Sequence, residues 1–490
     1  MAISFNEVPQ GILVPGAYIE FDNSQAMQGA SLMDYTALIC AQMLDGGTAE
    51  PLKAYSVTSA ERAAELFGRG SQAHLMAGAF LENNSYTSLR MIGVDDGESL
   101  TKATGSIALE GTATVGAPLY LYIAGQAVSV PCATGTTAAN LAQAVATAIS
   151  AEADLPVTAQ ASDTTVTLTA KNGGTLGNEM DIRVAYYNET MPEGIKLTIT
   201  AMSKGAGQPD VDELIAAWGD NWYHVIAWPW NDRSSLRTLE AELEDRWGPL
   251  RHIDGVAITS KSGTFSELQE FGSGEDKGNY AHISIVEACK TPTLPCVRAA
   301  AVAALVAYYG NNDPARPFQT LTISGDLAPA QEDRLTLEER NLLLKAGIAT
   351  TVTDAGGNVT IERMVTNYLT TSTGAADTSY QDVNTLLTLS YLRYDFRSRI
   401  LRKYPRHKLA GDTETIAPGQ AIMTPKQGRA EAVAAFQDWQ ELGLVEDIAK
   451  FKAGLVCERN ATDVNRLDWL ITPDLVNQFR VAAVQIQFRL

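Results

Sequence analysis

Residues 211–260 read VDELIAAWGDNWYHVIAWPWNDRSSLRTLEAELEDRWGPLRHIDGVAITS. Two strand-like runs, Tyr223–Ala227 and Gly255–Ser260, flank a helix expected from Ser234 to Trp247, and a further helix near Val211–Trp218 comes first. The alternation continues downstream. A helix near Phe265–Phe271 leads to a strand at Ala281–Val286, and the helix Val297–Tyr309 leads to a strand at Leu321–Ile323. Thr336 to Lys345 is a helix with Glu338, Glu339 and Arg340 on its wet side. Gly347 ends it, and Ile348–Val352 pairs with Val359–Met364 through Gly356 and Gly357 as a hairpin. Helix and strand in regular succession predict a mostly parallel sheet covered by helices.

Upstream, the same pattern holds from Met33 to about Leu100. Thr36 to Met43 is a strand. Ser59 caps a helix that Gly68 and Gly70 stop, Ser71 caps a second helix through Phe80, and Ser88 to Val94 is a strand. Between these two blocks the texture changes. Thr, Ala, Gly and Val dominate residues 101–205, and only 13 charged residues fall between Thr101 and Gln208. Strands near Leu119–Ile123 and Ala127–Val130, a helix from Thr137 to Ser150, and strands near Val166–Thr169, Ile182–Tyr186 and Lys196–Thr200 describe a β-rich module. Its borders, at Thr104-Gly105 and at Gly205-Ala206-Gly207, mark it as an insertion whose ends lie close together.

Composition bounds the function. A chain of 490 residues suggests about three domains. With 45% hydrophobic and 19% charged residues it can build real cores, which excludes a wholly disordered chain. Lys and Arg number 37 against 57 Asp and Glu, so the formal charge of −20 opposes nucleic-acid binding through the bulk field. Cys40, Cys132, Cys289, Cys296 and Cys457 have no regular spacing and are expected as free buried thiols. MAISFNEVPQ shows no signal peptide, and the longest apolar run, about Ala299 to Tyr309, is too short to cross a bilayer. A chain made and folded in a cytoplasm, without membrane insertion, is the expectation.

The last segment is separate in charge. Residues 376–490 hold 15 Lys and Arg against 14 Asp and Glu, so the negative charge lies almost wholly before it. No GxxxxGK[ST], HExxH, GxSxG or GxGxxG occurs, and His74, His224, His252, His282 and His407 do not cluster at metal-ligand spacing. No catalytic, cofactor or metal residue is therefore assigned, although an α/β hydrolase with a spatially assembled triad remains an alternative.

Three features point to assembly instead. Residues 1–22 form an extended arm: Pro9, Gly11, Pro15 and Gly16 forbid a helix, and Ile12, Val14, Tyr18, Ile19 and Phe21 favour β structure. It docks on a partner or forms an edge strand of its own domain. From Tyr391 to Lys408, Arg393, Arg397, Arg399, Arg402, Lys403, Arg406 and Lys408 stand against Asp395 alone, on a helix with the apolar stripe Leu386, Leu389, Leu392, Phe396 and Ile400. This is either a solvated face with one Asp395–Arg399 pair or a patch facing an acidic partner. Finally, Val484 to Leu490 alternates apolar and polar residues to the end. Burying Val484, Ile486, Phe488 and Leu490 yields roughly 6–12 kcal/mol, while ordering such a tail costs roughly 7–20 kcal/mol. Ladder hydrogen bonds to an acceptor edge must decide the balance, in its own domain or in a neighbour's sheet.

Three blocks of residues carry a resemblance. They are Val14-Pro15-Gly16-Ala17-Tyr18-Ile19-Glu20; Asp313 to Leu321 followed by Glu339 to Leu343 and Gly347 to Thr350; and Asn384-Thr385, Ser390 to Arg393 and Tyr404 to Ala410. Together, and in this order, they resemble the Mu-like contractile phage tail sheath family over nearly the whole chain except 101–205. The resemblance implies an α/β and α+β multidomain protein: a subtilisin-like α/β core without catalytic residues (23–100 and 206–375), a tube-facing α+β domain at 376–480, and terminal arms at 1–22 and 481–490; the β-rich insertion 101–205 is the main departure from a minimal sheath and is expected to project outward as a decoration whose deletion leaves assembly intact. It implies a structural subunit, not an enzyme, that polymerises helically in stacked rings around a tail tube and contracts to drive the tube through the host envelope. A phage-derived particle such as a tailocin is the alternative source. The implied partners are copies of itself, the tube protein, and baseplate and terminator proteins, with no nucleic acid and no cofactor. The implied location is the virion, after assembly in the bacterial cytoplasm. Phe5, Ile12, Val14, Tyr18, Ile19, Val484, Ile486, Phe488 and Leu490 would lace subunits together, and the Arg393–Lys408 patch would face the tube.

Overall fold

Eight strands make one sheet, in the order Ala54–Ser56, Ser88–Val94, Thr36–Gln42, Val225–Ala227, Val256–Ser262, Ile283–Ala288, Ile348–Thr353, Val359–Arg363. Every pairing between Ser88–Val94 and Ile348–Thr353 is parallel, and the two outermost strands run antiparallel. A computed structural model gives the structure; it describes residues 33–97, 99–413 and 419–489. These divide into two compact units, residues 33–391 with 477–489, and residues 392–476.

The sheet forms where the sequence is apolar on both faces. Leu38, Ile39 and Cys40, Val225 to Ala227, and Ile283, Ile285 and Val286 are wholly buried, as strands covered by helices on both sides must be. Local chemistry sets the helix starts. Ser59 and Ser71 accept the backbone N–H groups of Arg62 and His74 through their hydroxyls, opening Ala60–Phe67 and Gln72–Asn83. Thr264 with Glu267, and Thr336 with Glu339, form reciprocal capping boxes on Phe265–Ser273 and Leu337–Lys345. Gly347, at φ 72°, turns the chain out of the last of these helices into Ile348–Thr353.

One expected strand is lost. Leu321–Ile323 is reduced to a single bridge between Thr322 and Thr360, because Thr320 sits at φ 68° and takes the chain out of the extended run. The Thr320 and Ile323 N–H groups still reach the Ile361 and Val359 carbonyls at 2.8 and 2.9 Å, and the Ile361 N–H reaches the Leu321 carbonyl at 2.9 Å, so this short segment is bonded to the outermost strand.

The insertion is a folded module with its own core. A four-stranded antiparallel sheet runs Glu193–Ser203, Lys102–Val115, Thr165–Gly173, Val157–Ser162, beside a three-stranded one, Gln126–Val130, Leu119–Ile123, Ile182–Val184. The helix Ala138–Ala151, capped by Thr137, buries Leu141, Val145 and Ile149 with Ile107, Leu109, Val166 and Leu168. Thr101 and Ala206 pair across the neck at 2.9 and 3.2 Å, as the expected proximity of the ends requires.

In the smaller unit, Pro425–Glu441 packs Phe436 on Phe451 of Ile448–Gly454, ring centroids 4.2 Å apart, and the hairpin Val456–Arg459 with Leu467–Leu470 lies beside it. All five cysteines are free and buried.

His224 gives the larger unit a pH response. It stacks between Tyr35 and Trp222, with ring centroids 4.6 and 4.8 Å away, and its Nδ1 accepts the Thr36 N–H at 3.1 Å. Burial pushes its pKa down to about 4, so folding favours the neutral ring. The stability this contributes is present above the unfolded value near 6.5 and is lost as pH falls toward 4, by roughly 3 kcal/mol in all. A melting temperature followed from pH 7 to pH 4 should therefore drop, and His224→Phe should flatten the drop while lowering stability at pH 7. An unchanged pH slope in the variant would remove His224 from this role.

Candidate assembly surfaces

The histidines and thiols do not assemble a catalytic centre. His282 Nδ1 lies 3.0 Å from Glu240 Oε1, and the same carboxylate accepts the N–H groups of Ala281 and His282, so the pair closes a strand start. Burial pushes the Cys289 and Cys457 thiols up to about 11 and Cys296 to about 12, which holds them as thiols at neutral pH. Among the described residues no group of three His, Cys, Asp or Glu is placed to hold a metal ion.

The basic run folds as the helix Val383–Lys403 and the turn after it, and packing sorts its cations. Arg399 is 3% exposed at its side chain and is no part of a surface patch. Its Nε donates to Asp395 Oδ2 at 2.8 Å, its Nη2 pairs with Asp438, and Glu431 lies 3.9 Å from Nη1. Asp395, fully buried, also accepts the Trp439 indole N–H at 2.8 Å. Lys403, half-buried, binds Glu431 at 2.7 Å, and Tyr404 donates to the same carboxylate at 2.8 Å. Burial and that carboxylate push the Tyr404 phenol up to about 12. Two carboxylates from Pro425–Glu441 thus absorb cations that look free in the local sequence. Arg393 is half-buried and also engaged. Arg397, Arg402, Arg406 and Lys408 are exposed, Lys408 donating to Gln420 Oε1 at 2.9 Å.

The C-terminal segment is anchored and then released. Gln478 donates to the Ala315 carbonyl at 3.2 Å, and Arg480 pairs with Asp382 at 2.8 Å, a carboxylate that also holds Arg363 at 3.1 Å. Beyond Arg480 the described tail has no strand pairing. Val484, Ile486 and Phe488 are 80%, 84% and 79% exposed, so the chain's own sheets leave the tail's apolar residues uncovered. Among the residues considered for lacing, Phe5, Ile12, Val14, Tyr18, Ile19 and Leu490 lie outside the described residues. The anchor was not visible in the sequence: Arg480 and Asp382 are almost a hundred positions apart, and neither stands in a motif.

The buried network makes a quantitative contrast. Arg399→Met should destabilise the smaller unit by about 3–5 kcal/mol, because it takes the guanidinium partner from the buried Asp395 carboxylate. Arg402→Met should stay within about 0.5 kcal/mol. Denaturant unfolding of both variants measures the difference, and equal effects would mean that Arg399 is not the buried partner described here.

Comparison with known proteins agrees with this geometry. The family model for the phage tail sheath protein central domain matches residues 204–367, and that for the phage tail sheath C-terminal domain matches residues 375–489. The tail sheath protein of the Mu-like prophage FluMu of Haemophilus influenzae is 42% identical over 489 residues, with 100% of both chains covered. Among solved structures, the sheath tail protein of Desulfitobacterium hafniense is 11% identical, with 94% of this chain and 100% of that chain covered and a TM-score of 0.48. That of Listeria innocua is 12% identical, with 92% and 97% covered and a TM-score of 0.47. The matched domains and the full-length relative establish that this chain belongs to the phage tail sheath family, as a sheath protein of the Mu-like kind.

Proposed function

We propose that this tail sheath protein is the repeating subunit of a contractile helical sheath, held together by strand addition through its terminal arms. The observation that carries the reading is the tail: an alternating strand, anchored at Gln478 and Arg480, whose apolar residues stand in water. Exposed alternation of this kind is relieved by adding to the edge of another chain's sheet, where main-chain bonds supply what side-chain burial alone does not. Each subunit that gives a tail and receives one makes a heterologous contact, which propagates as rings and helices without closing along the axis. The N-terminal arm takes the same role from the other end of the chain.

In this reading the smaller unit, with residues 376–382 and the start of the helix, faces a tail tube. Arg397, Arg402, Arg406 and Lys408 meet acidic side chains there, while Arg399 and Lys403 hold the helix in place. Exposed ion pairs contribute roughly 0–1 kcal/mol each, so the sheath grips the tube yet can release it collectively. Contraction is a transition between two arrays of the same subunit, driven by better contacts between the larger units and not by a nucleotide. The larger unit is read as a subtilisin-like core stripped of catalysis, a reading that its central parallel strands support, with the inserted module on the outside. Baseplate and terminator proteins bound the array at its ends, and the site of assembly is the host cytoplasm.

Deletion of residues 481–490 should leave a folded chain that sediments as a monomer at concentrations where the intact protein polymerises. Polymers of normal yield from the truncated chain would refute lacing by the tail. Arg397→Glu with Arg402→Glu should weaken association with tube protein and abolish its salt dependence. Association unaffected by both salt and charge reversal would turn this helix face away from the tube.

A further inference from the structure

Open, mostly parallel sheets bind their ligands in the crevice outside the carboxyl ends of the strands. In this chain that edge is filled by the inserted module. At the end of Thr36–Gln42, the Gln42 amide donates to Asp96 Oδ1 at 2.7 Å and to the Gly173 carbonyl at 2.8 Å. Asp96, just past Ser88–Val94, accepts the Gly173 N–H at 2.5 Å and the Asn172 amide at 3.1 Å. Asn172 also donates to the Met43 carbonyl and accepts the Gln72 N–H, both at 2.9 Å. Farther along the same edge, Asn231 donates to the Ser260 carbonyl at 2.9 Å and to the module's Glu179 at 3.1 Å, while Lys261 donates to Asn231 Oδ1 at 3.2 Å. Past Ile283–Ala288, the module's Arg183 donates to the Lys290 carbonyl at 3.3 Å.

The bonds of Gln42 to Gly173, of Asn172 to Met43 and Gln72, and of Asn231 to Ser260 are interior, while that of Arg183 lies at the surface. Gln42, Asn172 and Asn231 are 1%, 9% and 6% exposed. Burial raises the Glu179 carboxyl above its ordinary value, against the pull of Asn231 and Lys261. Close approach matches the bonding: at Gly70, with φ 78°, a β-carbon would fall 2.7 and 2.9 Å from the Leu155 and Ala153 carbonyl oxygens of the module. A buried polar group that loses its partner costs more than the bond itself contributed. A core stripped of the module would take the Gly173 partner from Gln42 and Asp96, the Asn172 partner from the Met43 carbonyl and the Gln72 N–H, and the Glu179 partner from Asn231.

We infer that the inserted module is a built-in plug of the sheet's carboxyl edge, so that the α/β core depends on it to fold and does not carry it as a removable decoration. The plug occupies the place where a substrate would bind in an enzyme of this architecture. It also makes module and core a single mechanical body during any movement of the subunit.

The test combines an excision with two point variants. Thr101 and Ala206 already pair antiparallel, so Asn-Gly in place of residues 102–205 closes the neck as a two-residue hairpin. The excised chain should be insoluble or melt far below the intact protein. In the full-length chain, Asn172→Ala and Asn231→Ala should each lower the melting temperature by about 1–4 °C. They should also speed amide exchange at residues 40–43 and 258–262, while Gln143→Ala on the exposed face of the module helix should change neither. An excised chain that melts like the intact one overturns the inference. So does an excised chain that fails to fold while both asparagine variants are silent, since that failure would come from the excision itself.

Discussion

A segment with one apolar face needs a sheet edge, and among the described residues the C-terminal tail has none. Residues 481–489 leave the larger unit with Val484, Ile486 and Phe488 in water. Conformational entropy keeps such a tail from ordering on side-chain burial alone. In the proposed reading, the main-chain bonds that complete the balance come from a second molecule. The rest of the structure serves that dependence. The Arg480–Asp382–Arg363 group fixes where the tail departs. The large sheet supplies a rigid body to carry it, and the smaller unit presents a surface of Arg397, Arg402 and Arg406.

The parallel sheet bears on how the inserted module is held. Its architecture is one in which many enzymes place a site at the carboxyl edge. Here Asn172, Gly173 and Glu179 fill that edge and consume its polar groups. A protein whose work is mechanical gains from such closure.

Much of this was legible from residue order. Ser59, Ser71 and Thr336 announce helices through their position before an apolar stripe, and each accepts the N–H expected of it. Gly and Thr borders marked the insertion, and alternation marked the tail. What escaped reading has physical causes. Lys102–Val115, the longest strand among the described residues, has its β-branched positions interrupted by Ala103, Gly105, Ala108, Gly111 and Ala113 and carries no aromatic residue, which thins the strand signal. The Thr320 backbone cannot be inferred from a run that looks extended. Arg399 looks like a surface cation because its partners, Asp438 and Glu431, arrive from a helix more than thirty residues away. The plug is invisible for the same reason, since Gln42 and Gly173 meet only in three dimensions.

The central claim is that the subunit carries within itself the contacts that lace a helical sheath, whether it nucleates alone or on tube protein. Negative-stain electron microscopy of the purified, concentrated protein tests it most directly. The account predicts hollow helical tubes, formed without any other component or, where nucleation is slow, upon addition of tube protein. Monodisperse particles under both conditions would contradict it.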